Sequence, residues 1–157
     1  MKLAKKFPLF LLVLLIAMQF YRPEQNLAQG NHTKVFLKQT NPPENVKVIL
    51  QQTCYDCHSN NSKYPWYNNI APVSYWIADH IKHGKKHLNF SEWENYSAKK
   101  AAHKLEEIAE MVAEGSMPLK EYTWTHDTAR LTDEQRQAVV VWAELTKLLY
   151  ELGPQPE

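Results

Sequence analysis

The sequence predicts an all-α protein: a small domain of about four helices, preceded by a hydrophobic N-terminal helix. Three observations predict it. Apolar residues recur at three- and four-residue steps from Ala98 to Val112 and again from Ala138 to Leu149, the spacing that keeps one helix face apolar. No stretch alternates apolar and polar residues as a half-buried strand does. Glycines number only 4 in 157 residues, which disfavours glycine-rich phosphate loops and most turn-dense all-β architectures. The length suits one modest domain plus a tail, and 44% hydrophobic with 22% charged residues is a globular balance. Formal net charge is +1, so nothing global draws the chain to nucleic acid. The balance is uneven along the chain. Residues 1–105 hold 14 Lys/Arg against 6 Asp/Glu, and residues 106–157 hold 4 against 11.

The elements follow in order. Lys2, Lys5 and Lys6 precede an apolar run from Phe7 to Tyr21, broken by Pro8 and Gln19. Its 15 residues make about 22 Å of helix, while a bilayer core is about 30 Å thick. Counted from Leu3, with Lys5 and Lys6 snorkelling, the length reaches about 28 Å. No good cleavage site follows, so residues 1–21 read as an uncleaved membrane anchor, with a removed signal peptide as the alternative. Basic residues ahead of the span place the remainder outside the cytoplasm. Residues 22–40 are polar and mixed and read as a linker. Residues 41–152 read as the domain and 153–157 as a tail.

Within the domain, Asn41-Pro42-Pro43-Glu44 predicts a helix entry, with Asn41 as cap and Pro42 in the first turn. That helix runs over 42–53, with Val46, Ile49, Leu50 and Thr53 inward. Residues 54–72 read as a loop. A second helix over 73–83 is stopped by Gly84, with Val73, Trp76, Ile77 and His80 or Ile81 on one face. Ser91-x-x-Glu94 is a capping box opening a short turn. The third helix carries Ala98, Ala101, Ala102, Leu105, Ile108, Ala109 and Val112 on one face and ends at Gly115. After a loop over 117–131, Thr132-x-x-Gln135 caps the last helix. Its predicted inner face is Ala138, Val141, Trp142, Leu145, Leu148 and Leu149, and Gly153-Pro154 ends it.

Chemistry is concentrated in Cys54-Tyr55-Asp56-Cys57-His58, a C-x-x-C-H sequence that marks c-type haem attachment. A helical turn sets two thiols three residues apart, where each can add across a vinyl group. His58 then lies under the iron as proximal ligand. The two cysteines are the only ones in the chain, so a zinc site made of four cysteines and a disulfide scaffold are excluded. The alternatives are a redox dithiol, for which the βαβ context is missing, and a zinc site completed by His80, His83 or His87.

Around this motif the chain resembles the bacterial haem-binding domain family with a single C-x-x-C-H. That family is a relative of cytochrome c often found near di-haem cytochrome c peroxidases. The stretches that carry the resemblance are Cys54 to Asn60, Tyr64-Pro65-Trp66-Tyr67, Ile70 to Ser74, Leu88 to Ser91, Met117-Pro118-Leu119 and His126 to Leu131. The resemblance runs from Asn41 to Trp142 and implies one covalent haem c inside a cytochrome c-like fold.

Met117 is the candidate sixth ligand. It lies 59 residues after His58, on a loop entered through Gly115, and a thioether suits haem iron. His80, His126 or an open position are the alternatives. Tyr64, Trp66 and Tyr67 could wall the haem and bond its propionates, or simply pack in the core. Lys63 and Arg130 could neutralise the propionates. Six lysines lie between Lys82 and Lys104; as a face around the haem edge they would steer an acidic redox partner.

The expected function is that of a membrane-tethered periplasmic monohaem cytochrome in the bacterial cell envelope. It would transfer single electrons to a redox partner protein without being an enzyme, and would bind no nucleic acid. The rivals are a haem-based sensor with a displaceable sixth ligand and an accessory domain to a cytochrome c peroxidase.

Overall fold

A computed structural model describes residues 2–153, with side chains from Lys6 onward. Among these residues the only regular structure is helical; Leu27 and Asn61 form an isolated antiparallel bridge. The all-α expectation holds. All but one residue of the expected tail, 153–157, lies outside the described residues.

Helix α1, Lys2–Met18, is a run of 17 residues with Pro8 inside its first turns. It measures about 25 Å. Among the described residues no helix is long and apolar enough to cross a membrane. The segment expected as a linker, residues 22–40, carries α2, Lys34–Thr40, and puts Phe36 at the centre of the core with no exposed surface. A polar-looking stretch with one aromatic gives no periodic signal, so its docking was invisible to pattern reading.

Helix α3, Glu44–Ile49, starts two residues later than expected, with extended Pro43 ahead of it. Asn41 serves the preceding element. It closes α2 in the left-handed region at φ 37°, its N–H bonded to the Leu37 carbonyl, a conformation Asn tolerates better than most residues. The helical path then continues through a wide turn, Leu50–Cys54, into α4, Tyr55–His58. The C-x-x-C-H residues, expected at the start of a loop, therefore end a helical run. Helix α5, Val73–His87, passes through Gly84 and ends only at Leu88. The expected stop at Gly84 is corrected, and its reason belongs to the site.

A 3-10 turn, Phe90–Asn95, brings Phe90 and Trp93 inward. Its N-terminus is capped by the Asn89 side chain, which accepts from Ser91 N–H, rather than by Ser91. Helix α6, Ala98–Ala113, is capped by Ser97 and buries Ala101, Ala102, Leu105, Ile108, Ala109 and Val112 as expected. Gly115, at φ 72°, turns the chain after it. Helix α7, Asp133–Leu152, has the expected capping box between Thr132 and Gln135. Its buried face is Val139, Trp142, Ala143, Thr146 and Tyr150. Val141, Leu145, Leu148 and Leu149 are exposed, which corrects the expected face. Apolar residues ring this helix. The buried set is built of smaller and β-branched side chains between two aromatics, which lets α6 approach closely.

The core is an aromatic knot. The Phe36 ring lies 4.5 Å from Phe90, 5.0 Å from Trp93 and 6.1 Å from Trp142, all tilted or edge-on. Its two indole N–H groups are satisfied: Trp142 Nε1 donates to the Thr40 carbonyl at 3.2 Å and Trp93 Nε1 to Tyr150 Oη at 3.0 Å. This knot fixes the position of the helical run that bears the cysteines.

Candidate haem-attachment site

The wide turn before the motif places Cys54. Tyr55 N–H reaches back five residues to the Leu50 carbonyl, one more than in an α-helix, which turns the following residues relative to the core. Cys54 and Cys57 are free thiols, half-buried, on one short helical run. Cys54 also packs against the core cluster. Burial pushes the Cys54 thiol up to about 12 and the Cys57 thiol up to about 11, with the Asp56 carboxylate adding to both. Such thiols stay protonated near neutral pH, the opposite of a reactive dithiol. Among the described residues no group of three His, Cys, Asp or Glu converges as a metal site, so the zinc reading lacks a ligand set.

His58 is oriented by the end of α5. Its Nδ1 lies 3.1 Å from the Leu88 carbonyl, with the Gly84 carbonyl also acting on it. Donation from Nδ1–H to a backbone carbonyl fixes the tautomer that carries its lone pair on Nε2, the arrangement a metal-ligating histidine needs. Burial lowers the His58 pKa below its ordinary 6.5, while the two carbonyls oppose that shift. The imidazole is therefore neutral at pH 7 and available to iron.

Gly84 is what lets α5 come this close. A Cβ there would sit 2.7 Å from the Cys57 carbonyl oxygen and 3.2 Å from the Cys57 Cβ. The glycine read as a helix stop is a point of contact between two helices. Sequence reasoning had a signal for it, a lone glycine inside a helical stretch, and assigned it the commoner role.

Further residues missed in the sequence complete the surroundings. Asp56, between the cysteines, accepts from Tyr122 Oη at 2.7 Å and from Lys63 N–H at 3.0 Å. Tyr122 lies near both thiols, and burial together with the Asp56 carboxylate raises its phenol well above the usual range. The loop after α6 thus closes onto the motif through Tyr122. Arg130, read in the sequence as a partner for the propionates, holds that loop, with Nε donating to the Thr123 carbonyl at 3.0 Å and an ion pair to Asp127 at 3.5 Å. Asn26 ties the N-terminal segment in: its Nδ2 donates to the Ser59 carbonyl and Ser62 Oγ, both at 2.8 Å.

The expected ligands and wall residues fall out unequally. Met117 is partly buried on the α6–α7 loop and packs against the same core as Cys54 and Tyr55. His126, on the same loop, stacks on Tyr122 at 4.0 Å and 10°, with its Nδ1 3.0 Å from the Tyr122 carbonyl. His80 lies against Trp76 on a more exposed flank of α5, its Nδ1 2.8 Å from the Trp76 carbonyl. Tyr67 Oη donates to Thr125 Oγ1 at 2.7 Å, joining its turn to the same loop. Tyr64 Oη accepts from Asn26 N–H at 2.7 Å. Trp66 is exposed, with its ring edge-on to Tyr67 at 5.7 Å. Lys63 is exposed beside Asp56, and only its backbone N–H is engaged there. In the basic stretch, Lys85 bonds Asn26, Lys100 covers the Tyr96 ring and Lys104 pairs with Glu107, while Lys82, Lys86 and Lys99 are exposed.

Two thiols on one turn, a neutral imidazole with Nε2 left free, and a thioether on the covering loop fit a haem better than the alternatives. No curated protein and no solved structure matches the chain. A family model described as a haem-binding domain matches residues 13–145. With that match spanning most of its length, the chain belongs to the haem-binding domain family.

Proposed function

We propose that this haem-binding protein is a c-type cytochrome that carries single electrons. Cys54 and Cys57 would form thioethers to one haem, with His58 as the proximal ligand. Met117 would be the distal ligand, because it is the soft donor on the loop that Tyr122 closes over the motif. The observation that carries the reading is the His58 Nδ1 bond to the Leu88 carbonyl, which prepares Nε2 for iron on the turn that bears both thiols. A bound haem would supply the redox change, and Cys54, Cys57, His58 and Met117 would hold it. The N-terminal basic residues and apolar helix support attachment to the cytoplasmic membrane with the domain on its outer side, the side where haem c is normally attached.

The test is retention of haem by the polypeptide through acid–acetone extraction and a denaturing gel. Cys54→Ala with Cys57→Ala should abolish retention. Full retention in that double variant would overturn the covalent assignment. Rapid CO binding by the unaltered reduced protein would replace electron transfer by ligand sensing.

A further inference from the structure

We infer that the haem domain rests directly on the bilayer, through an apolar collar of Phe20, Tyr21, Trp66 and Ile70 around the end of α1. The inference rests on the membrane attachment proposed above, and it adds a docking surface and an orientation.

The first observation is a shortfall in length. Helix α1 is about 25 Å long with its lysines included, and its apolar part, residues 7–18, measures about 18 Å, against a hydrocarbon core of about 30 Å. A short span draws its flanking groups into the membrane or thins the bilayer around it. What flanks α1 therefore decides how the domain sits.

The second is that α1 is not joined to the domain by a free hinge. Gln19 makes a reciprocal pair with the Ala71 backbone, accepting from its N–H at 3.0 Å and donating to its carbonyl at 3.1 Å. Tyr75 Oη donates to the Met18 carbonyl, and the Arg22 guanidinium donates to the Asn69 carbonyl. The Tyr21 and Tyr75 rings meet at 5.6 Å. Residues on both sides of the helix end are thus bonded to the turn between Trp66 and Tyr75, so the helix direction and the domain are coupled.

The third is what that junction exposes. Phe20 is 87% exposed, Tyr21 68%, Trp66 75% and Ile70 45%. Along α1 itself, every residue from Lys6 to Ala17 is exposed. Exposed apolar residues thus continue from the helix onto the domain, with Gln19, Arg22 and Asn69 as the polar groups among them, each held by a hydrogen bond at the junction. Trp and Tyr prefer the headgroup level, where the ring is apolar and one end stays wet. A water-facing site for a bulky Trp and a Phe is otherwise unfavourable. A lipid surface is the occupant continuous with the apolar helix.

The experiment uses the full haem-loaded chain in vesicles of phosphatidylglycerol and phosphatidylethanolamine. With both native cysteines bonded to haem, single cysteines can be introduced and spin-labelled as Trp66→Cys, Ile70→Cys and, as a distant exposed control, Leu152→Cys. Labels at positions 66 and 70 should be several-fold more accessible to oxygen, relative to a water-soluble nickel chelate, than the label at 152. Gln19→Ala should move the 66 label toward the control value while the protein still floats with the vesicles. Equal accessibility at 66, 70 and 152 in protein that floats would overturn the docking and leave the anchor standing. Protein that does not float after a high-salt wash would overturn the anchor, and the docking with it.

Discussion

His58 and Gly84 show how much of the site is decided by single atoms. Burial holds His58 below its ordinary pKa of 6.5. A depressed histidine contributes stability that is fully present above that value and is lost as the pH falls from there through the folded value. In the haem-loaded protein, a bond from Nε2 to iron would oppose protonation further. The acid transition of the Soret band should therefore have its midpoint below pH 6.5; the burial argument itself is checked by NMR titration of His58 in the haem-free chain, where an imidazole pKa at or above 6.5 would contradict it. Gly84→Ala reverses a common expectation. In an ordinary helix interior the change stabilises by about 1 kcal/mol. Here the new Cβ meets the Cys57 carbonyl at 2.7 Å, and both partners are helix backbone with little freedom to yield. Overpacking of that kind costs about 1–3 kcal/mol, so the variant should melt several degrees lower and retain less haem. A rise in melting temperature, measured by circular dichroism, would show that α5 does not sit against Cys57.

At the scale of elements, the loop between α6 and α7 would govern access to the iron in the proposed site. It is fastened by the Tyr122–Asp56 bond, by Tyr67 on Thr125 and by Arg130 on the Thr123 carbonyl. Removing the phenol oxygen in Tyr122→Phe leaves Asp56 one donor short, a loss of about 1.5–3 kcal/mol for a bond to a charged group. Reduced Tyr122→Phe should bind CO faster than the unaltered protein, with its resting spectrum little changed. Met117→Ala should go further, lowering the reduction potential as well, because any replacement from water or histidine is a harder ligand. If Met117→Ala changes neither potential nor CO binding, the distal ligand is not Met117. The elements also divide by legibility. The buried face of α6 was readable from Ala101 to Val112 because its apolar positions occupy one face and Gly115 follows its end, while its Ser97 cap was not read. The buried face of α7 was not, because valines and leucines surround it and only the close approach of α6 selects Val139 and Ala143. The candidate motif of Cys54, Cys57 and His58 was readable from spacing alone. Asp56, Tyr122 and Asn26 were not, since their roles arise where segments distant in sequence meet.

The whole molecule is held together across a sequence boundary that composition suggested and packing erases. Phe36 is fully buried among Phe90, Trp93 and Trp142, and Asn26 bonds the chain just after the motif. The isolated bridge between Leu27 and Asn61 adds backbone bonds from Ala28 N–H to the Asn60 carbonyl at 2.8 Å and from Ser62 N–H to the Asn26 carbonyl at 2.9 Å. Truncation distinguishes a linker from an integral part of the fold. A chain beginning at Pro23 loses α1 and its junction but keeps Asn26, the bridge and Phe36. It should unfold in one cooperative transition and hold haem. A chain beginning at Asn41, the boundary drawn from composition, loses all three. Removing a buried phenylalanine side chain alone costs about 3–5 kcal/mol, and several hydrogen bonds near the motif go with it at about 1 kcal/mol each. Against a net stability of about 5–15 kcal/mol for a typical domain, that loss leaves little or nothing. The shorter chain should show no cooperative transition in urea and should fail to retain haem when matured alongside the longer one. Two-state unfolding of the chain from Asn41, with haem retained, would return residues 22–40 to the status of a linker.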